Sequence, residues 1–196
     1  MTDVVAGPDG RLRCPWALGS AEYVAYHDEE WGRPVHGDTA LYERLTLEGF
    51  QSGLSWLTIL RKREGFRTAF DGFDPDIVAR YDDGDLARLL ADERIVRNRA
   101  KIVAAITNAA AVVRLRGADG EGALDRLIWS HAPDPRPAPA TLGDVPATTP
   151  ESAALAKALK RHGLVFVGPT TAYATMQAAG VVDDHLAACA LRGIAR

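Results

Sequence analysis

Whether the chain is mixed or all-helical turns on GLVFVGPTTAYATMQAAG, residues 163–180. Its run LVFV is rich in β-branched and aromatic residues and could pass for a strand. Yet the run is four residues long, and no second strand is evident to pair with it. Gly163 and Gly168 bracket the run and allow tight turns, and a helix opens at PTTAYA. The stretch therefore reads as helix, tight hairpin, helix, completed upstream by the Ala-rich ESAALAKALKRHG that Pro150 and Glu151 start and Gly163 stops. This motif spans about 151–180.

The segments on the N-terminal side have helical periods too. DTALYERLTLEGF (38–50) opens on Asp38 as N-cap and spaces Leu41, Leu45 and Leu47 along one face. GLSWLTILRKREGF continues as a second helix, and DPDIVARY opens on Asp74 with Pro75 in the first turn. GDLARLLADE follows, then a long helix from about Arg97 to Arg116 with Ile102, Ile106, Ala109 and Val113 as its buried stripe, then LDRLIWSHA. DDHLAACALRG reads as a last helix with Asp183 or Asp184 at its start. Two segments read as irregular: residues 1–13, a loose leader with Gly7, Pro8 and Gly10, and the proline-rich 132–150. The class is all-α, one domain over 14–196.

With 196 residues, 47% hydrophobic and 25% charged, the composition is that of a folded globular protein and excludes a disordered tail. No apolar run approaches the length of a membrane span. Two cysteines and no signal peptide point to a reducing, cytosolic setting in which a structural disulfide is not expected. The net charge of −3 announces no nucleic-acid partner, but it is unevenly distributed. Arg94, Arg97, Arg99, Lys101, Arg114 and Arg116 form one basic stretch; Arg61, Lys62, Arg63 and Arg67 form another; Lys157, Lys160 and Arg161 a third. These are either a cationic face for phosphates or ordinary solvated helix surface.

On a helix, His185 and Cys189 at i and i+4 would share one face. With Cys14 and His27 they make a Cys2His2 set able to hold one tetrahedral zinc; the alternative is two buried free thiols. Four protein ligands leave no open position for catalytic water, so such a zinc is structural. His36, His131 and His162 have no partner pattern. Trp16, Trp31 and Trp56 fall close in sequence to Tyr23, Tyr26 and Glu48. These are either core residues or flat surfaces beside a carboxylate, forming a pocket for a planar, electron-poor ring.

The motifs CPW (14–16), YVAYHDEEWG (23–32), LEGFQSGLSW (47–56), RIVRNRAKI (94–102), GLVFVGPTTAYATMQAAG (163–180) and DDHLAAC (183–189) occur in order over nearly the whole chain. Together they resemble the 3-methyladenine DNA glycosylase I family of bacteria. The resemblance implies an all-helical, helix-hairpin-helix repair enzyme acting on alkylated double-stranded DNA. It implies one structural Zn2+ on Cys14, His27, His185 and Cys189, joining the N- and C-terminal segments. It also implies that Glu48 contacts the damaged base, that Tyr26 and Trp56 stack around it, and that Trp16, Tyr23 and Trp31 shape its pocket.

Such an enzyme flips the nucleotide from the duplex and hydrolyses the N-glycosidic bond. The hairpin, through Gly163, Gly168, Thr170 and Thr171, receives backbone phosphate without reading sequence. Strand-cleaving relatives carry a Schiff-base lysine where Thr170 stands, so hydrolysis without lyase activity is expected. Asp183 is either a catalytic aspartate or a helix cap. The leader and the 132–150 segment are expected to carry no functional residue. The protein is expected to be a monomer, nucleoid-associated through DNA; the alternatives are a non-catalytic DNA-binding module with structural zinc, or a zinc sensor.

Overall fold

A computed structural model describes residues 3–193. Residues 194–196, part of the expected domain, and residues 1–2 of the expected leader lie outside it. The described residues are mainly helical. Ser20 starts helix α1 (Ala21–Glu29) by accepting from Tyr23 N–H at 3.2 Å. Helix α2 (Asp38–Gln51) follows a Gly37 cap rather than the expected Asp38. Asp38 is buried and serves a distant element, its carboxylate accepting from Gly122 N–H (3.1 Å) and Asp125 N–H (3.0 Å) at the start of α7 (Ala123–Trp129). Helix α3 (Trp56–Ala69) starts later than expected because Ser55 caps it, leaving 52–54 as a bend below the α2 C-terminus.

Asp74 and Pro75 open the short α4 (Pro75–Val78) as expected, and α5 (Asp83–Ala91) begins with an Asp82/Asp85 capping box. The long α6 (Arg99–Asp119) runs through the centre. Its fully buried face passes through Ile102, Ala105, Ala109 and Val112, while Ile106 and Val113 are only half-buried. The tyrosine hydroxyl of α2's Tyr42 bonds Ala105 O at 2.9 Å, tying α2 to α6.

Helix α8 (Pro150–Arg161) is capped by Thr149, and helix α9 (Pro169–Ala178) returns against it. Between them LVFV is neither strand nor helix, and the backbone of Val165 is satisfied by a side chain instead of a sheet. Asn108 of α6 accepts from Val165 N–H at 2.7 Å and donates to Val165 O at 3.1 Å. Gly163 (φ 88°) ends α8, and the second left-handed residue is Phe166 (φ 60°). Gly168, at φ −93°, needs no glycine-only conformation.

Two expectations are corrected. Residues 3–13 are not a loose leader: Val5–Ala6 (β1) and Leu12–Arg13 (β2) pair antiparallel, and buried Arg13 binds both Asp9 and Asp28. The segment 183–193 is a series of turns and not a helix. Asp183 competes with helix formation by accepting from His185 N–H (3.1 Å) and Gly193 N–H (3.1 Å). This segment packs on both flanks, Ala190 N–H donating to Leu12 O (2.9 Å) and Ala187 N–H to Pro139 O (2.8 Å). No described helix is long and apolar enough to cross a membrane.

Candidate functional site

The aromatic residues of α1, the turn before it and the start of α3 surround a cavity of about 430 Å³. Trp16, Tyr23, Tyr26, Trp31, Glu48 and Trp56 all line it. The rings meet one another at ordinary aromatic-pair distances, and the cavity opens beside them. Tyr26 and Trp56 have centroids 5.4 Å apart at 53°, and Trp16 meets Tyr23 edge-on at 5.8 Å and 83°. Tyr23 is fixed by its hydroxyl, which accepts from Leu57 N–H at 3.0 Å.

Glu48, on the last full turn of α2, is 7% exposed. Burial raises its carboxyl to about 8, opposed by the Arg44 guanidinium one turn earlier on the same helix. Arg44 is itself held by Glu30, which Arg63 grips with both nitrogens at 2.6 and 2.8 Å. Near neutral pH the empty pocket thus favours a protonated Glu48, whereas a positively charged ring would favour the carboxylate.

Behind the aromatic wall, Cys14, His27 and Cys189 offer ligand atoms that all lie within 4.8 Å of one another, and all three residues are buried. They could hold a metal ion. The hydrogen bond with Cys189 and burial raise Cys14, while hydrogen bonds from Cys14 and His27 lower Cys189. His185 stands beside them, its ring 4.9 Å from that of His27. Each imidazole is oriented through Nδ1 by a carboxylate: His27 by Asp28 at 2.9 Å, His185 by Asp183 at 2.8 Å. His185 Nε2 is buried without a hydrogen-bond partner among the described residues. Gly32 (φ 74°) is what admits this ring, since a Cβ there would lie 2.8 Å from His185 Cε1.

A profile of the methyladenine glycosylase family matches residues 16–192. The DNA-3-methyladenine glycosylase 1 of Escherichia coli is 45% identical over 180 residues, spanning 90% of this chain and 95% of that protein. The chain belongs to the methyladenine glycosylase family. Among solved structures, a 3-methyladenine DNA glycosylase I superposes with a TM-score of 0.85 at 43% identity, over 91% of this chain and 98% of the other. A variant of such an enzyme in complex with 3-methyladenine superposes with a TM-score of 0.84 at 32% identity, over 91% and 96% of the two chains.

Within this methyladenine glycosylase family member, Gly163, Gly168, Thr170 and Thr171 are not among the residues lining the aromatic cavity. Thr170 and Thr171 occupy the first turn of α9. An open groove nearby is lined by Lys157, Lys160, Arg161 and Pro169. The other basic clusters are largely consumed inside the molecule. Arg94 pairs with Asp92 and Arg116 with Asp76, while buried Lys101 donates to Phe50 O (2.8 Å) and Ser52 O (2.5 Å) at the α2 C-terminus.

Sequence reasoning missed half of the cavity wall. Gln51 and Gln177 lie inside quoted motifs but drew no attention beside the aromatics. Asp184 lines the cavity, accepting from Tyr173 Oη (2.5 Å), Gln177 Nε2 (2.8 Å) and Arg136 Nη2 (2.7 Å). Asp183 faces His185 instead. Against the penalty of burial, hydrogen bonds from His185 and from Gly193 N–H lower Asp183 to about 2. Leu142 and Val145, from the proline-rich segment expected to be inert, complete the wall.

Proposed function

We propose that the protein is a DNA base-excision glycosylase that flips 3-methyladenine out of alkylated duplex DNA and hydrolyses its N-glycosidic bond. The observation that carries this reading is the single cavity in which Tyr26, Trp56 and the buried Glu48 meet. Extruding a nucleotide costs a few kcal/mol, recovered in a fitted pocket. Methylation at N3 makes the nucleotide's adenine cationic. Stacking on Tyr26 and Trp56 then gains about 0.5–2 kcal/mol over neutral adenine, and the positive ring draws Glu48 to its carboxylate form.

The charged base is already an activated leaving group: as the glycosidic bond breaks, its electron pair stays on the purine, which departs neutral, and water adds to the oxocarbenium-like sugar. Glu48 recognises the cation and stabilises the site, with positioning or deprotonating of water as its secondary role. Trp16, Tyr23 and Trp31 shape the pocket. Thr170 supplies no amine for a Schiff base, so the reaction is simple hydrolysis.

The donor chemistry of two buried sulfurs and two carboxylate-oriented imidazoles suits zinc, with Cys14, His27, His185 and Cys189 as ligands. When bound, it fastens the N-terminal segment to the C-terminal turns. The helix-hairpin-helix formed by α8 and α9 grips a DNA phosphate through the backbone N–H groups around Gly163, Gly168, Thr170 and Thr171, helped by Lys157, Lys160 and Arg161. Residues 14–196 act as one monomeric unit, brought to the nucleoid by DNA. A module that only gripped DNA would leave the aromatic cavity without a role.

Incubating the protein with methylated duplex DNA and chromatographing the freed bases tests the reading. Release of 3-methyladenine, with strands that break only on alkaline treatment and no borohydride-trapped adduct, is expected. No released base from folded protein would contradict it.

A further inference from the structure

The cavity has a chemically divided wall. Of its lining residues only Leu142, Val145 and Ala174 are aliphatic; every other one is aromatic or polar. Leu142 and Val145 both come from the proline-rich strap between α7 and α8. An alkyl group on a purine is placed at lowest cost against this aliphatic side, because burying it against Glu48, Gln51, Gln177 or Asp184 strips those groups of water with no compensating bond.

The strap lacks α-helix, so its position rests on specific anchors. Pro139 O accepts from Ala187 N–H at 2.8 Å, and Leu142 N–H donates to Asp3 Oδ2 at 3.0 Å. Val145 packs on the cluster of Cys14, Leu186 and Cys189, as Trp16 and Trp31 do. At the cavity edge the anchor is Arg136, which reaches Asp184 at 2.7 Å and also bonds the Tyr173 hydroxyl. Asp184 is 2% exposed and lines both the aromatic cavity and a second one, of about 320 Å³, beneath the strap. The Arg136–Asp184 pair therefore joins the strap directly to the wall of the base site.

Resting on the excision reading above, we propose that the strap sets the size of alkyl group the enzyme accepts. Half-buried Val145 forms the limiting surface, with the 41% exposed Leu142 at its rim, and Arg136 is a positioning residue that holds it through Asp184. A small rigid wall there admits a methyl and excludes longer chains, a difference of one methylene that a hydrophobic pocket discriminates by tenfold or more.

The test compares bases released from duplex DNA treated with a methylating or an ethylating agent. Val145→Ala is expected to raise the ratio of 3-ethyladenine to 3-methyladenine release by about tenfold. Arg136→Met is expected to shift the ratio the same way and to raise KM more than it lowers kcat. Amide exchange across 137–146 should become faster in that variant, and Arg136→Lys, which can still donate to Asp184, should restore both the ratio and the protection. Unchanged ratios in either Val145→Ala or Arg136→Met overturn the inference. If the wild-type protein releases no alkylated base at all, the excision reading itself fails, and the two failures are told apart by that control.

Discussion

Trp31 packs edge-on against His185, ring centroids 4.7 Å apart at 71°, so one side chain belongs to both the base cavity and the cysteine–histidine cluster. Trp16 repeats the arrangement against His27 at 5.2 Å. The aromatic wall of the cavity is thus backed by the cysteine–histidine cluster.

Loss of the metal should reach the pocket as well as lower stability. Chelation, or Cys14→Ser, is expected to abolish bound zinc and lower the melting temperature by about 10 °C, at roughly 2–4 °C per kcal/mol for a chain of this size. Tryptophan emission should change in the same titration because Trp16 and Trp31 touch the histidines. Calorimetry and metal analysis on the same sample check both.

Asp183 orients the His185 imidazole and is not among the residues lining the cavity. Asp183→Asn should weaken metal affinity by about 10–100-fold while leaving turnover of the metal-loaded enzyme near normal. A competition titration against a zinc chelator measures the first, and steady-state excision the second.

Glu48 gives the enzyme a pH signature. Its carboxyl, raised to about 8, must lose a proton when a cationic base enters. Hence kcat/KM should climb from pH 6, reach half its maximum near 8 and level off above that. The same group affects folding in the opposite sense. The folded protein holds this proton more tightly than the unfolded chain, so its contribution to stability falls as pH rises from about 4.5 to about 8. Glu48→Gln should remove that loss, becoming more stable than wild type by a few kcal/mol at pH 8, since each tenfold change in proton affinity is worth about 1.4 kcal/mol. Denaturant melts at pH 5 and 8 measure the difference.

Along the groove beside the hairpin, Lys157→Ala and Lys160→Ala should each weaken binding to any duplex sequence. Each should also reduce the slope of log affinity against log salt by about 1, the signature of one lost phosphate contact. Fluorescence anisotropy over a salt series reads it.

The helical stretches were legible because their signals are local: starts such as Asp74 with Pro75 and Pro150 with Glu151, and apolar periods such as Leu41–Leu45. The hairpin was legible from the shortness of LVFV, although its partner, Asn108, is 57 residues away in sequence. What the sequence hid is long-range. The turns at 183–193 follow from Asp183 bonding His185 and Gly193 in place of a helix, yet His185 still comes beside His27 without the helical face that first paired it with Cys189. Arg13 orders the leader through Asp28, and Arg136 ties the strap to Asp184. No periodicity announces such pairs. Apart from Glu48, the cavity residues that were found are aromatic and concentrated near one another in the chain; those missed are amides and aliphatic side chains that look the same in a core, and Asp184, which reads as a helix start.

The most direct measurement is the rate of 3-methyladenine release from methylated duplex DNA by Glu48→Gln against wild type, on samples whose melts show intact folds. Recognition of a cationic ring by the buried carboxylate predicts a loss of about 100-fold or more. Release at near wild-type rate would contradict it.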